Sequence, residues 1–471
     1  MSVHALLAIR GNGWMRACFR KVSIRRGMVK KLNGLSDPAM YRVGIDGFNL
    51  AIPKGTGIAT YARTLSHVVK DLGHPVDVLY GMNISHKVSP ELREVMFFNI
   101  LGSDGQAPRR KGKIPRWIRN QIASFGKNHP FEISLTGRVD QRSFLSRLPA
   151  FDRILNEQDI FARASRYFRT TGNFLSLRLP DAPRIMHWTY PLPIQVEGAI
   201  NLYTIHDLVP LRFPQTTLDD KSYHFRLMKK ICGLNAPICT VSEASRRDIA
   251  AFFPEMADRI YNPYQSFLPD PVFMKRSDEE TREELEGVFG LKPESYFLFY
   301  GSLEPKKNIG RIIEGFLSSQ TDRKLVIVGA MAWKNENELR FLQHGVDEGR
   351  IVLFDYLPQI SLITLVRHAR ALLFPSLTEG FGLPALEAMF LGTPVLTSHE
   401  GGLPEVVGDS AVMVRDAYDA ASITDGISLL DQDDALYQRL RSEGPVQADK
   451  FSLTAYGERV KEMYAEITRR F

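Results

Sequence analysis

Short apolar runs alternate with amphipathic stretches along most of this chain, and that alternation predicts parallel sheets covered by helices. YRVGIDGF (41–48) is a continuous apolar run of buried-strand length. PKGTGIATYARTLSHVVKDLG (53–73) follows as a glycine loop opening into helical spacing, and PVDVLYGM (75–82) returns to a strand pattern. Strands joined through a helix by short links run parallel, with right-handed crossovers. The pattern weakens over 83–180: APRRKGKIPRWIRNQI (107–122) mixes breakers with charge, and RILNEQDIFARASRYFRT (153–170) predicts a helix. It resumes with the strand-like runs RIMHWTY (184–190), NLYTIHDL (201–208) and PICTVS (237–242). SEASRRDIAAFF (242–253) then predicts a helix with Ser242 as its N-cap. YNPYQSFLPDPVF (261–273) has no period and enough Pro to be a linker. A second series follows: YFLFYGSL (296–303), KLVIVGA (324–330), RIVLFDYL (350–357), ALLFPSL (371–377), TPVLTSH (393–399) and SAVMVRD (410–416). SLTAYGERVKEMYAEITRRF (452–471) closes the chain as a capped amphipathic helix. Two alternating series predict an α/β protein with two doubly wound, Rossmann-like domains.

Length agrees, since 471 residues exceed one ordinary core. The expected parts are a basic, poorly ordered extension (1–40) and a first domain (41–270) with an insertion at about 83–180. A second domain (271–451) and the terminal helix (452–471) complete the chain. No run of eighteen apolar residues is present, and VHALLAI (3–9) is short and ended by Arg10, which argues against a spanning helix or a secretory signal. Cys18, Cys232 and Cys239 make neither a disulfide framework nor a zinc spacing and fit a reducing cytoplasm. Net charge is +7, and residues 1–40 alone hold eight Lys/Arg against Asp37. Residues 105–180 add fifteen basic and five acidic side chains. Basic surface interspersed with Trp, Phe and Leu suits an anionic membrane leaflet or a lipid pyrophosphate, and equally suits a plain solvated face. Nucleic acid fits less well, because no helix-turn-helix, zinc or stacking motif accompanies the charge.

PSLTEGFGLPALEAM (375–389) carries the most chemistry. A strand leads into Glu379, then Gly380, Phe381 and Gly382, then a helix expected to begin at Pro384. Free backbone N–H groups at a helix start face an anion. Carboxylates repel phosphate, so Glu379 and Glu387 are better placed to accept hydrogen bonds from hydroxyls, and a ligand with both features is a nucleotide sugar.

The run E-G-F-G-L-P-x-L-E-A-M, with G-T-P-V (392–395) and G-G-L-P-E-V (401–406) after it, resembles the donor site of the retaining glycosyltransferases of family 4. The resemblance implies a GT-B fold, two Rossmann-like domains facing across a cleft, with the last helix crossing back to the first domain. It implies that Glu387 grips ribose and Glu379 the transferred sugar, with Phe381, Gly382 and Leu383 offering backbone donors. YGSLEPKKN (300–308) resembles the family's pyrophosphate segment: Lys307 matches its lysine, Ser302 stands where an arginine is usual, and Lys306 replaces the missing charge. In TIHDLVP (204–210), His206 corresponds to the family histidine near the donor sugar, while Asp207 orients that ring or caps the next turn. GTGIATY (55–61) fails as a Rossmann fingerprint but resembles the family's N-terminal glycine loop, placing Gly55 and Gly57 near the donor phosphate. TVSEASRRDI (240–249) matches a recurring family segment whose serine cap reads equally as structural. His187, Trp188 and Tyr190 suit either an acceptor wall or an aromatic core.

The implied activity is transfer of a hexose, with retention, from a nucleotide diphosphate sugar to a polysaccharide or lipid-linked saccharide. No cofactor and no metal are expected. E-P-K-K-N resembles a variant found among mannosyltransferases of bacterial surface polysaccharides, so GDP-mannose is the first donor and a UDP-hexose the second. The expected location is cytoplasmic, peripheral at the inner face of a membrane. A nucleotide-sugar epimerase of similar fold and a catalytically inactive partner subunit are the alternatives.

Overall fold

A computed structural model of the chain describes residues 40–52, 57–103, 128, 130–144, 147–269, 272–329, 340–355 and 357–471. Residues 1–39 of the basic extension, the stretch 107–122 and Gly55 lie outside the described residues. Residues 40–471 pack as one compact unit holding two large sheets.

The first half contains β1 (Val43–Asp46), β2 (Val76–Tyr80), β3 (Phe131–Glu132), β4 (Arg153–Asn156), β5 (Leu175–Leu177), β6 (Ile185–Trp188), β7 (Ile194–Val196), β8 (Ile200–Thr204), β9 (Ile238–Cys239) and β10 (Ile260–Tyr261). Its main sheet runs β10-β9-β8-β6-β1-β2-β4-β3, and every pairing is parallel except that of β3 with β4. β5 and β7 form a separate parallel pair. The second half contains β11 (Tyr296–Tyr300), β12 (Lys324–Val328), β13 (Ile351–Phe354), β14 (Ala371–Phe374), β15 (Val395–Thr397) and β16 (Val412–Met413), in the wholly parallel order β13-β12-β11-β14-β15-β16. Helices cover both faces, so strands such as Tyr296–Tyr300 are buried throughout and read as unbroken apolar runs.

One expected helix is partly a strand. Residues 153–156 form β4, paired with β2 through Leu79↔Leu155, and the helix starts only at Ile160. Asp159, at φ 52°, turns the chain between them. Asn156 ends the strand by accepting the Met82 N–H at 2.9 Å and donating to the Met82 carbonyl. Ile154 and Leu155 are buried whether strand or helix, so spacing could not separate the two states.

The terminal helix spans Leu453–Arg470, and Ser452 at its start makes no side-chain capping bond, contrary to expectation. Its buried face, Tyr456, Val460, Tyr464 and Ile467, packs on the helix Gly57–Asp71 of the first half. Arg470 pairs with Asp258 at 2.6 Å, so the last element of the chain fastens onto the first sheet's side. Among the described residues, no helix is long and apolar enough to cross a membrane.

Candidate functional site

In a doubly wound sheet, a crevice opens at the strand ends where the order reverses direction. In the second sheet that point lies between β11 and β14. The loop leaving β11 carries Lys306 and Lys307, and the loop leaving β14 carries Glu379. The loops are stitched together. Leu377 N–H donates to the Lys306 carbonyl at 2.8 Å, and the buried Asn308 amide donates to Pro375 O at 2.9 Å and Ala417 O at 2.6 Å. Lys307 Nζ consequently lies 2.5 Å from Glu379 Oε1 and 4.8 Å above the Phe374 ring. Burial would lower the Lys306 pKa, but the carboxylates of Asp207, Glu379 and Glu304 outweigh it and hold the group above its usual range. Its nearest partner is Glu304, at 3.6 Å. Two cations thus share one corner with the carboxylates of Glu379 and Glu304.

The helix after Glu379 spans Leu383–Phe390, so Pro384 takes its second position, one later than expected. Either place tolerates a missing N–H. Gly382 turns into the helix at φ 108°, where a Cβ would also strike Leu403 at 2.6 Å. No acceptor among the described residues takes the N–H groups of Phe381, Gly382 or Leu383. The Phe381 ring itself is buried against Phe451, 5.4 Å between centroids. Glu387 sits one turn further on. Burial pushes its pKa up to about 7, against the pull of the Tyr300 hydroxyl, which donates to Oε2 at 2.6 Å. That hydroxyl also reaches Pro384 O at 3.1 Å. A neutral Glu387 can therefore donate to Tyr300 while Tyr300 donates to the carbonyl.

The first sheet supplies His206, just beyond β8. Its Nε2 lies 2.9 Å from the Thr189 carbonyl. A carbonyl only accepts, so Nε2 carries the proton and Nδ1 keeps a lone pair. Burial lowers the pKa of this ring and keeps it neutral near pH 7. The Tyr61 ring stands edge-on to it at 4.9 Å. Behind it, the buried Asp46 carboxylate accepts the Thr189 N–H and, at 3.2 Å, the Phe48 N–H, and burial pushes it up to about 6. Asp207 Oδ1 accepts the Val209 N–H at 3.0 Å, so it caps the turn.

The two halves touch here. A Cβ on Gly380 would lie 2.7 Å from the His206 carbonyl oxygen, so the Glu379 loop rests directly on the His206 loop. Gly57 opens the helix Gly57–Asp71, and a Cβ there would meet only Leu383, at 3.9 Å. His206, Lys306, Lys307, Glu379, the Phe381–Leu383 backbone and Glu387 thus gather at facing strand ends. His187 and Trp188 do not join them. His187 is fully buried between Tyr464 and Thr204, each 2.8 Å away, and Trp188 donates to Asn201 inside the core. Tyr190 is half-buried, its ring stacked 6.0 Å from Phe48. Ser302 is exposed and contributes only its carbonyl, to the Glu304 N–H at 2.9 Å. Sequence reasoning passed over Asp46, Thr189, Tyr300 and Asn308. The available signal is position, because Asp46 and Tyr300 each end a strand at the carboxyl edge of a parallel sheet. Among the described residues, no three His, Cys, Asp or Glu side chains gather as a metal site.

Known proteins share this framework. Residues 281–447 match the family model described as Glycosyl transferases group 1. The chain is 32% identical over 266 residues to the O-antigen chain mannosyltransferase B of Escherichia coli, covering 55% of this chain and 68% of that protein. It is 28% identical over 255 residues to the Escherichia coli serotype-specific mannosyltransferase WbdA, covering 52% of this chain but only 31% of that longer protein. The crystal structure of Anabaena Alr3699/HepE in complex with UDP and glucose superposes with a TM-score of 0.60 at 13% identity, over 90% of this chain and all of that one. With the two facing Rossmann-like halves of a GT-B fold and a relative matched over two thirds of its length, this chain belongs to the glycosyl transferases group 1 family and is a hexosyltransferase.

Proposed function

We propose that the chain transfers a hexose, with retention at the anomeric carbon, from a nucleotide diphosphate sugar to a polysaccharide or lipid-linked saccharide. The carrying observation is the Lys307–Glu379 pair at the β11/β14 crevice, beside the uncommitted N–H groups of Phe381, Gly382 and Leu383. In this reading, those N–H groups with Lys306 and Lys307 take the charge of the departing diphosphate, and no metal or cofactor is invoked. Glu387 accepts from ribose hydroxyls, Glu379 from the sugar ring, and the lone pair of His206 Nδ1 from a further sugar hydroxyl. Gly57 flanks the phosphates from the opposite side. The acceptor hydroxyl forms its bond to the anomeric carbon on the face the diphosphate leaves. As the old bond breaks, the leaving phosphate oxygen takes the acceptor's proton.

GDP-mannose is the first donor, supported by the names of the Escherichia coli relatives, and a UDP-hexose is the second. The basic stretches favour work at the inner, cytoplasmic face of a membrane on an anionic, lipid-linked acceptor. The test is a panel of nucleotide sugars measured for calorimetric binding and slow hydrolysis. GDP-mannose should bind, and Glu387→Ala should weaken it about 10- to 100-fold, as expected for losing a charged hydrogen-bond partner. No binding of any donor, or the same affinity in the variant, rejects the assignment.

A further inference from the structure

Two segments without a role so far, TVSEASRRDI (240–249) and GGLPEV (401–406), meet each other across the two halves. Glu405 belongs to the helix Leu403–Val407 of the second half. Its Oε2 accepts the Glu243 N–H at 2.8 Å and its Oε1 accepts the Ala244 N–H at 2.7 Å. These are the first N–H groups of the helix Glu243–Phe252 in the first half. Such groups lack intrahelical acceptors and form the positive end of the helix, so a carboxylate with both oxygens engaged suits them well. Ser242 takes the next available N–H, that of Ser245, at 3.0 Å. Asn262 donates to Glu243 at 2.8 Å and so ties the segment connecting the halves to the same helix end.

From this joint, both functional loops are one residue away. Ser245 Oγ donates to the His206 carbonyl at 2.8 Å and stands 3.4 Å from the Gly380 carbonyl. On the other side, Gly402 N–H donates to the Glu379 carbonyl at 2.9 Å. A Cβ on Gly402 would lie 2.5 Å from Gly380 O and 3.0 Å from the Ser242 side chain, so the two segments are in direct contact. We infer that Glu405 is a positioning residue: by gripping the end of the helix Glu243–Phe252 it fixes His206 opposite Glu379. This rests on the functional reading above, in which those two side chains face one sugar.

The experiment compares Glu405→Gln with Ser242→Ala in the full chain. The amide introduced by Glu405→Gln offers one acceptor oxygen and turns its hydrogens toward the other N–H, loosening the joint with little change of shape. Ser242→Ala deletes a cap of the same helix but keeps the Cβ that lies nearest Gly402 and both N–H bonds to Glu405. For Glu405→Gln, donor hydrolysis should lose about 10- to 100-fold in kcat, the scale of a small misplacement of reacting groups, with KM and GDP affinity changed by less than about twofold. Ser242→Ala should lower Tm at least as much yet keep kcat within about threefold. Unchanged kcat in Glu405→Gln, or losses in both variants that merely follow Tm, overturns the inference. If Glu405→Gln does not fold, Glu405→Asp keeps the charge, withdraws the carboxylate by one methylene, and carries the same expectation. Wild-type protein that neither binds nor hydrolyses any nucleotide sugar would instead defeat the functional reading. Small-angle scattering then decides the joint alone: a larger radius of gyration in Glu405→Gln supports it and an unchanged one overturns it.

Discussion

Lys307 Nζ lies 2.5 Å from Glu379 Oε1, with only about an eighth of each side chain exposed, so the cation and the carboxylate at the crevice neutralise each other. At that depth an unpaired charge is poorly solvated, and the pair holds both side chains at the strand ends where a diphosphate and a sugar would lie. A ligand phosphate can share the lysine, and a ligand hydroxyl can donate to the free oxygen of Glu379.

Breaking the pair from either side should therefore cost more than removing it whole. Lys307→Met and Glu379→Gln should each destabilise the chain by about 1–3 kcal/mol, because the partner is left buried and uncompensated. The double variant should recover part of that loss. Urea unfolding of the four proteins measures the coupling, and strictly additive changes would show that the contact carries no energy.

Glu387 gives a pH signature with opposite signs for folding and for binding. Burial raises its folded pKa from 4.5 to about 7, so between those values the folded chain binds more protons than the unfolded one. The stability it contributes is full below pH 4.5 and is lost as pH rises through about 7. Asp46 adds the same sign between 3.8 and about 6. The stability of wild type relative to Glu387→Gln should fall across this window in urea melts. GDP affinity should instead improve from pH 6 to 8, by up to about tenfold if only the ionised carboxylate accepts the ribose hydroxyls. A flat affinity profile, or the same slope in Glu387→Gln, would remove Glu387 from the ribose site.

The strongest sequence signals were local ones. Glu379, Gly382 and Glu387 lie within nine residues, and Lys306 and Lys307 lie in the short loop after a strand, so strand–turn–helix logic points to one sheet edge. Contacts between distant segments were not legible. His187 suits either an acceptor wall or an aromatic core, and what decides for the core is its Nδ1 partner Tyr464, 277 residues later on the returning helix. Thr189 gives His206 its tautomer through a backbone carbonyl, which no side-chain pattern encodes. The four residues of β4 read as helix because they run straight into one, and only pairing with β2 makes them a strand.

His206 should act through one nitrogen and without titrating. Its Nε2–H is committed to Thr189, and burial keeps the ring neutral above the ordinary 6.5. The rate of donor hydrolysis should thus show no step from this ring between pH 7 and 9. His206→Ala should lower kcat about 10- to 100-fold, a range usual for one positioned polar group, while GDP affinity stays within about twofold. A parallel loss of GDP affinity would move His206 from the sugar to the nucleotide.

The glycines at the contact between the halves should differ sharply in tolerance. A Cβ on Gly380 would sit 2.7 Å from the His206 carbonyl oxygen and 3.4 Å from Asp207 Cβ, both fixed by neighbouring backbone. Gly380→Ala must push the two loops apart, and should cost about 1–3 kcal/mol of stability, as overpacking does, along with most of the activity. A Cβ on Gly57 would meet only Leu383, at 3.9 Å, and the residue is already helical. Gly57→Ala should raise stability by about 0.5–1 kcal/mol through the lower entropy of the unfolded chain. Its GDP affinity should weaken, because the added Cβ takes the space a phosphate would use beside this Cα, and an unchanged affinity would remove Gly57 from the phosphate site. Melting and calorimetry on the two variants separate a glycine that the contact between the halves demands from one that only a ligand could demand.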